Sequence, residues 1–298
     1  MTNDRADIRH SVLGVFGTTV AVGLWGFGNV LVRIIPMSGL VISFQRLWLG
    51  SVTALLVMFV SGRRIGWIDI RRSILGGVAF GLNVVFFFSA VKYTSPTTAT
   101  VIETLQPVIL IMVVGKFFGE RVRLAATLAS LVALVGTVAV VLGAPTKGHD
   151  SLFGDFLAVV ALLSYSAYFV ASKKAREHVG TIEYQVAIQV VAAILVTPII
   201  VFTGTGFNGD LHNWSLVAIL SVVVGSGHYL VNWSHSHTSL SLLSALTLLT
   251  PVFTMVASYL MLGETVSPIQ VAGTIVMIGA LTFVVLRTPI AVGRLTEI

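Results

Sequence analysis

Ten long apolar stretches, separated by short polar connections, constrain the fold of this chain more than any other feature of its sequence. Each is about 20 residues long, which is the length that an α-helix needs to cross the hydrocarbon core of a bilayer. They lie near residues 11–32, 39–60, 73–92, 96–118, 125–142, 153–172, 181–202, 214–233, 239–262 and 268–286. With only 10% charged residues, the chain could not cover the surface of a soluble domain of this size. We therefore predict an all-α membrane protein with ten transmembrane helices.

The predicted helices leave only short connections between them. Ten spans use roughly 200 of the 298 residues, so no soluble domain fits between the helices. A Gly-, Pro- and Asp-containing stretch in the middle divides the chain into a first repeat over residues 1–143, a linker over 144–151 and a second repeat over 152–298. The first apolar stretch is too long for a secretory signal and has a counterpart in the second half, so we expect it in the mature protein. Cysteine is absent, and we expect no cofactor and no metal site.

The lysines and arginines fall mainly on one side of the predicted helices. Fourteen of the 18 belong to connections on that side, and the other four are Arg33, Arg46, Lys92 and Lys147. The positive-inside rule makes the basic side cytoplasmic and predicts that both termini are cytoplasmic. A nucleic-acid-binding protein would instead cluster its basic residues on one surface, so the net charge of +6 does not indicate a nucleic acid partner.

Segments of the two halves repeat at a constant offset of 144 residues. The aligned segments are Tyr93-Thr94-Ser95 with His237-Thr238-Ser239, Leu105-Gln106-Pro107-Val108 with Leu249-Thr250-Pro251-Val252, and Gly119-Glu120 with Gly263-Glu264. Because each repeat contains five helices, an odd number, the second copy must enter the membrane from the opposite face. Two inverted halves can exchange their packing and expose a shared central cavity to either side in turn. The repeat therefore indicates transport by alternating access.

Several short motifs resemble those of EamA-type exporters in the drug/metabolite transporter superfamily. They are Trp25-Gly26-Phe27-Gly28-Asn29 in the first predicted helix, Gln45-Arg46 in the second, and the two Pro-to-Gly-Glu stretches of the repeat. Within the superfamily the chain resembles exporters of aromatic amino acids in the bacterial inner membrane. The resemblance implies export of aromatic and other neutral amino acids or related metabolites, with other metabolites or drugs as the alternative. It also implies a cavity lined by the first, third, fourth, sixth, eighth and ninth helices, with the fifth and tenth at the periphery.

A transport cavity in lipid must be lined by polar or aromatic side chains, because polar groups that face hydrocarbon lose their hydrogen bonds. Polar stripes at helical spacing and aromatic residues in the central helices supply the candidates for substrate binding. They are Trp25, Asn29, Asn83, Phe87, Glu103, Gln106, Tyr165, Tyr168, His228, Asn232, Ser244 and Thr247. Such stripes also occur where helices bond only to one another, and the sequence leaves that alternative open for each residue.

Glu103 is the most unusual of these candidates. A carboxylate in the middle of a membrane helix costs about 2.5–3.5 kcal/mol on insertion scales unless it faces water or a partner. It can bind a substrate ammonium group, carry a coupling proton, or pair with Lys92 or another cation. Pro107 and Pro251 each free a carbonyl one turn earlier, near Glu103 and Thr247, so both helices should be weakened there.

Two further classes of function compete with transport. His228, His235 and His237, with Glu103 or Asp155, could serve a membrane-embedded enzyme. On a helix, however, the rings of His235 and His237 would point about 200° apart, which disfavours a shared metal. A channel or sensor is the third class, and the lack of an output domain disfavours a sensor. We therefore expect a transporter and not an enzyme.

The motifs Gly77-x-x-x-Gly81 and Gly115-x-x-x-Gly119 predict close helix packing within one chain, which favours a monomer.

Overall fold

The structure is a computed structural model that describes residues 2–93, 99, 102–110, 124–143, 151–204, 210–263 and 265–287. The described residues are helical, without strands, and form the following main helices. They are α1 (Thr2–Ile34), α2 (Gly39–Val60), α3 (Trp67–Tyr93), α4 (Leu124–Leu142), α5 (Leu152–Ala175), α6 (Thr181–Thr203), α7 (Leu211–Ser234), α8 (Leu240–Thr247), α9 (Thr250–Leu262) and α10 (Pro268–Arg287). The all-α prediction is confirmed for this part of the chain.

Seven helical stretches among the described residues are long and apolar enough to cross a membrane. Helices α1, α2, α3, α5, α6 and α7 supply six of them, and α8 with most of α9 forms the seventh. Shorter apolar helices lie within α4 and α10, at Thr127–Val140 and Pro268–Val284. Much of the fourth predicted span lies outside the described residues, so the count of ten and the inverted orientation remain predictions.

Local sequence accounts for several helix boundaries. Ser38, Asp210 and Ser239 begin α2, α7 and α8, and each side chain accepts a hydrogen bond from the backbone N–H three residues later. Such caps satisfy N–H groups that have no partner within the helix. Gly204 and Gly263 end α6 and α9 with φ angles of +67° and +65°, a left-handed conformation that glycine adopts without a steric penalty.

The spans that contain Pro107 and Pro251 are interrupted at equivalent positions. Helix α8 ends at Thr247, residues 248–249 form a turn, and α9 begins at Thr250 with Pro251 in its first turn. In the first half, residues 104–105 form a turn between helical residues 102–103 and 106–110. The two turns are separated by the same 144 residues as the repeated motifs, so the structural interruption follows the register found in the sequence.

The two sides of the helix bundle can be identified from contacts between connections. Arg63 forms an ion pair with Glu183 at 3.8 Å, which places connection 61–66 beside the start of α6. This side, which also contains connections 176–180 and 235–239, is called the basic side below. At the other end, Lys92 donates a hydrogen bond to the backbone carbonyl of Ile35 at 3.3 Å. The end of α3 and the α1–α2 connection therefore lie together on the opposite side.

Close packing at glycines joins pairs of helices. Gly77 and Gly81 of α3 face α6, and a Cβ atom added to either would come within 2.7 or 3.0 Å of its side chains. This contact lies within the monomer, while Gly115 and Gly119 lie outside the described residues. Helix α4 packs against α10 at the periphery, where their backbones meet at Gly136 and Gly273. The outward faces of α4 and α10 expose large apolar side chains, as expected for helices in contact with lipid.

Candidate functional site

A central cavity of about 740 Å³, including its open mouth, lies among the helices of the two halves. Helices α1, α2, α3, α5, α7, α8 and α9 and the segment 102–110 contribute to its wall. The lining residues are Trp25, Gly28, Asn29, Val32, Arg46, Asn83, Val84, Phe87, Phe88, Glu103, Thr104, Tyr165, Val224, His228, Thr247 and Thr250. Aromatic rings, amides and two groups of opposite charge therefore meet in one space.

Eight of the twelve residues proposed from sequence line this cavity. They are Trp25, Asn29, Asn83, Phe87, Glu103, Tyr165, His228 and Thr247. The other four are buried in the helices around it: Gln106, Tyr168, Asn232 and Ser244. The Thr247 hydroxyl donates to the Gln106 side-chain oxygen at 3.3 Å, and the Ser244 hydroxyl bonds to a backbone carbonyl three residues earlier. These two positions adjoin the cavity but contribute to the helix contacts beside it.

The carboxylate of Glu103 is held by an amide. Asn83 donates to Glu103 Oε1 at 3.0 Å, and the same nitrogen lies 3.2 Å from the backbone carbonyl of Ala161. Lys92, the cation suggested as a partner, bonds to the carbonyl of Ile35 instead. Among the described residues no salt bridge involves Glu103. The carboxylate is therefore positioned toward the cavity without a cation to neutralise it.

An aromatic wall faces this carboxylate. The Trp25 and Tyr165 rings meet edge to face with centroids 6.1 Å apart, and the His228 ring lies 4.8 Å from that of Trp25. Trp25 Nε1 and His228 Nδ1 are buried and have no hydrogen-bond partner within the described part of the protein. Buried polar atoms are nearly always paired, so these two groups are exceptions in the wall of the cavity.

Arg46 is a site residue that the sequence interpretation missed. It was counted among the basic residues of the side opposite the basic side, but the structure places it inside the bundle on α2, with 3% of its surface exposed. The guanidinium carbon lies 5.4 Å from the centroid of Phe88 and 5.7 Å from that of Phe80. Helix α2 therefore joins the cavity wall, although the resemblance did not include the second helix among those that line it. A basic residue inside an apolar stretch was the signal that could have identified it.

A hydrogen-bonded layer closes the bundle between the cavity and the basic side. Tyr168 donates to the side-chain oxygen of Asn232 at 3.0 Å, and Asn232 donates to the side-chain oxygen of Gln185 at 2.8 Å. The hydroxyls of Ser172 and Tyr184 are 2.8 Å apart. These contacts join α5, α6 and α7, which explains why Tyr168 and Asn232 face one another instead of the cavity.

Two cations reinforce this closure, and we call them and their bonds the basic-side latch. Arg176 donates to the backbone carbonyl of Asn232 at 2.9 Å, to the hydroxyl of Ser236 at 2.8 Å and to the carbonyl of Val179. Lys173 donates to two backbone carbonyls of connection 235–239, at 2.8 and 2.7 Å. Burial lowers the pKa of Arg176 to about 10, so the guanidinium remains charged at neutral pH.

The cavity continues toward the opposite side. A smaller pocket of about 420 Å³ shares Asn29, Val32 and Phe87 with it and extends to Arg33 and Ser258. Asn29 lies where the two spaces meet, and its amide donates to the Thr254 hydroxyl at 3.4 Å. The hydrogen-bonded layer and the basic-side latch therefore lie on one side of the cavity, and the smaller pocket adjoins it on the other.

Comparison with known proteins finds a transporter family in both halves. The EamA-like transporter family matches residues 12–142 and again residues 152–286. An uncharacterized transporter of Archaeoglobus fulgidus is 23% identical over 87% of this chain and 94% of its own length. The pseudopaline exporter CntI of Pseudomonas aeruginosa is 24% identical, covering 80% and 83% of the two chains. The aromatic amino acid exporter YddG of Ancylobacter novellus is 34% identical over 34% of this chain and 35% of its own.

A solved crystal structure shares the fold. It superposes with a TM-score of 0.77 and covers 94% of this chain and 97% of its own, at 19% sequence identity. At this level of identity the match supports the helical arrangement and says nothing about the substrate.

Proposed function

The chain belongs to the EamA-like transporter family, and on that premise we propose that it exports amino acids, both aromatic and other neutral ones, by alternating access. The observation that carries this proposal is the position of Glu103 in the central cavity, whose wall also contains the rings of Trp25 and Tyr165. A carboxylate without a cationic partner suits the ammonium group of an amino acid. Aromatic rings can stack on an aromatic side chain or accept a cation over their faces.

The lining of the cavity suits such a substrate. Apolar residues such as Val32, Val84 and Val224 complete the wall between the polar groups. One polar end and one apolar wall are what a neutral amino acid requires.

The closed basic side supports a direction for the transport cycle. If the basic side is cytoplasmic, as the distribution of lysine and arginine predicts, then the structure is an outward-facing state in the inner membrane. Release to the outside would follow the connected space near Asn29 and Ser258, and loading from the cytoplasm would require the basic-side latch to part. Both termini would then be cytoplasmic.

Two relatives suggest which compounds to test. The exporter YddG supports aromatic amino acids, although its match covers 34% of this chain. The exporter CntI, which matches 80% of the chain, makes a different metabolite the alternative substrate. Pseudopaline therefore belongs in the same assay as the amino acids.

The test is transport by purified protein in liposomes loaded with labelled phenylalanine, leucine or pseudopaline, with and without a pH gradient. We expect amino-acid efflux from wild-type liposomes and at least a tenfold loss in Glu103→Gln and Trp25→Ala, since one removes the charge and the other the ring that the substrate contacts. The matched controls are Glu177→Gln and Trp67→Ala, whose side chains are exposed and remote from the cavity. Wild-type rates in both cavity variants would contradict the site, and movement of pseudopaline alone would contradict the substrate class.

A further inference from the structure

Arg46 carries a buried positive charge that no carboxylate neutralises in the part of the chain that the structure describes. Its side chain lines the central cavity from α2, and its Nη2 atom is buried with no hydrogen-bond partner. Among the described residues no carboxylate forms a salt bridge with it, and this includes Glu103, which lines the same cavity. A cation inside a membrane helix is costly, and such residues usually pair with another group or mark a substrate pathway.

The protein positions this guanidinium without saturating it. The Ser221 hydroxyl on α7 donates to the backbone carbonyl of Arg46 at 3.3 Å, which fixes this turn of α2 against α7. The rings of Phe80 and Phe88 lie 5.7 and 5.4 Å from the guanidinium carbon and supply cation–π contact. Ring faces cannot replace the hydrogen-bond acceptors that the N–H groups require, so Nη2 is left without an acceptor among the described residues.

We propose that Arg46 is the anion-binding subsite of the cavity and takes the α-carboxylate of the substrate. This inference rests on the proposed function and names the chemistry that the site selects. A planar guanidinium can bind a carboxylate through two parallel hydrogen bonds, and the pair gains strength where water is excluded. With Glu103 as the site for the ammonium group, the two charged residues require a substrate that carries both groups. The protein therefore selects free amino acids over the corresponding amines, amides and esters.

The test compares ligands that differ only at the carboxylate. Binding of L-phenylalanine and of L-phenylalaninamide, which keeps the ammonium group and the ring, is measured on detergent-purified protein by calorimetry. We expect wild type to bind the acid at least tenfold more tightly than the amide. Arg46→Gln should weaken binding of the acid at least tenfold and leave binding of the amide within twofold. The control is Arg72→Gln, which removes an exposed arginine on the basic side.

The comparison separates a binding role from a structural one. If Arg46→Gln lost affinity for the acid and the amide equally, Arg46 would only support the fold. If wild type bound the acid and the amide with equal affinity, the proposal would be overturned directly. If Arg46→Gln does not fold, Arg46→Lys keeps the charge but not the planar pair of donors. It should weaken binding of the acid more than that of the amide, and equal effects would contradict the assignment.

A second measurement distinguishes failure of this inference from failure of the proposed function. The monocarboxylate 3-phenylpropionate should raise the melting temperature of wild type but not that of Arg46→Gln. If wild type neither binds nor moves amino acids and this Arg46-dependent shift remains, the anion subsite stands and the amino-acid function fails. If amino acids are transported but neither the acid-over-amide preference nor the shift depends on Arg46, the subsite fails and the proposed function stands.

Discussion

His235, on the basic side, is a buried imidazole among cations. It is 1% exposed, and both ring nitrogens lack hydrogen-bond partners among the described residues. Burial, together with the charges of Lys173 and Arg176, lowers the pKa of His235 well below its usual value. The residue is therefore neutral in the folded protein at neutral pH.

This shift makes the stability of the protein depend on pH. The unfolded chain takes up a proton at His235 as the pH falls through about 6.5, while the folded protein resists doing so. The free energy of unfolding should therefore fall as the pH drops below about 6.5, by at most about 1.4 kcal/mol per pH unit from this residue. His235→Gln should flatten that part of the profile, measured by thermal unfolding in detergent from pH 8 to pH 5. The exposed residue His178 supplies the control, since His178→Gln should keep the wild-type slope.

Single residues show what sequence can and cannot reveal about the candidate site. Glu103 and Thr247 were found because polar residues in apolar stretches recur at the 144-residue offset. Tyr168 and Asn232 have the same polar signature, yet they bond to each other across the helices. Helical periodicity gives the face of the helix on which a side chain lies. Its hydrogen-bond partner comes from another helix and therefore depends on tertiary packing.

Pairs of helices depend on backbone contact at glycine. A Cβ atom added at Gly136 of α4 would lie 2.7 Å from the carbonyl oxygen of Gly273 on α10, and backbone atoms cannot move aside as a flexible side chain can. We expect Gly136→Ala to lower stability by about 1–3 kcal/mol, the range for overpacking, despite the higher helix propensity of alanine.

The matched control is on the partner helix. A Cβ atom at Gly279 of α10 would meet nothing within 4 Å, so Gly279→Ala should be neutral or slightly stabilising. Thermal unfolding of both variants in one detergent gives the comparison. Equal melting temperatures for Gly136→Ala and wild type would mean that α4 and α10 are not packed this closely.

Helix boundaries were more predictable than helix interruptions. Serine and glycine mark the start of α2 and the ends of α6 and α9 because capping uses residues adjacent in sequence. The prolines correctly indicated weak points, but the turn at 248–249 precedes Pro251, which itself lies in the first turn of α9. A proline disrupts the hydrogen bond to the preceding turn, so its effect appears before its own position.

The whole molecule is asymmetric across its predicted membrane plane. The smaller pocket adjoins the cavity on one side, whereas the hydrogen-bonded layer and the basic-side latch lie on the other. Alternating access requires a second state in which these conditions are reversed. Halves inverted as the repeat predicts would provide similar packing for both states, so a few latch contacts would be sufficient to bias the equilibrium between them.

Arg176 is the residue whose loss should shift that equilibrium. The natural chain has no cysteine, so single-cysteine variants report accessibility without further substitutions. Ser258 is 8% exposed and lines the smaller pocket, whereas Ser172 is 0% exposed. Ser258→Cys should therefore react with a membrane-impermeant thiol reagent, from the side opposite the basic side, faster than Ser172→Cys reacts from either side. Adding Arg176→Gln removes the charged donor of the bonds to Asn232 and Ser236, which join α5 to the end of α7 and the connection after it; a bond of this kind contributes about 1.5–3 kcal/mol.

A shift of about 1.4 kcal/mol changes the ratio of the two conformational states tenfold. Arg176→Gln should therefore label at least tenfold faster at Ser172→Cys from the basic side, and more slowly at Ser258→Cys. Lys174→Gln removes an exposed charge at the same helix end and should change neither rate. Faster labelling at both positions would indicate a loosened bundle instead of an exchange between two states. Opposite changes at the two positions are the result that only alternating access produces, because the same conformational change that exposes one side closes the other.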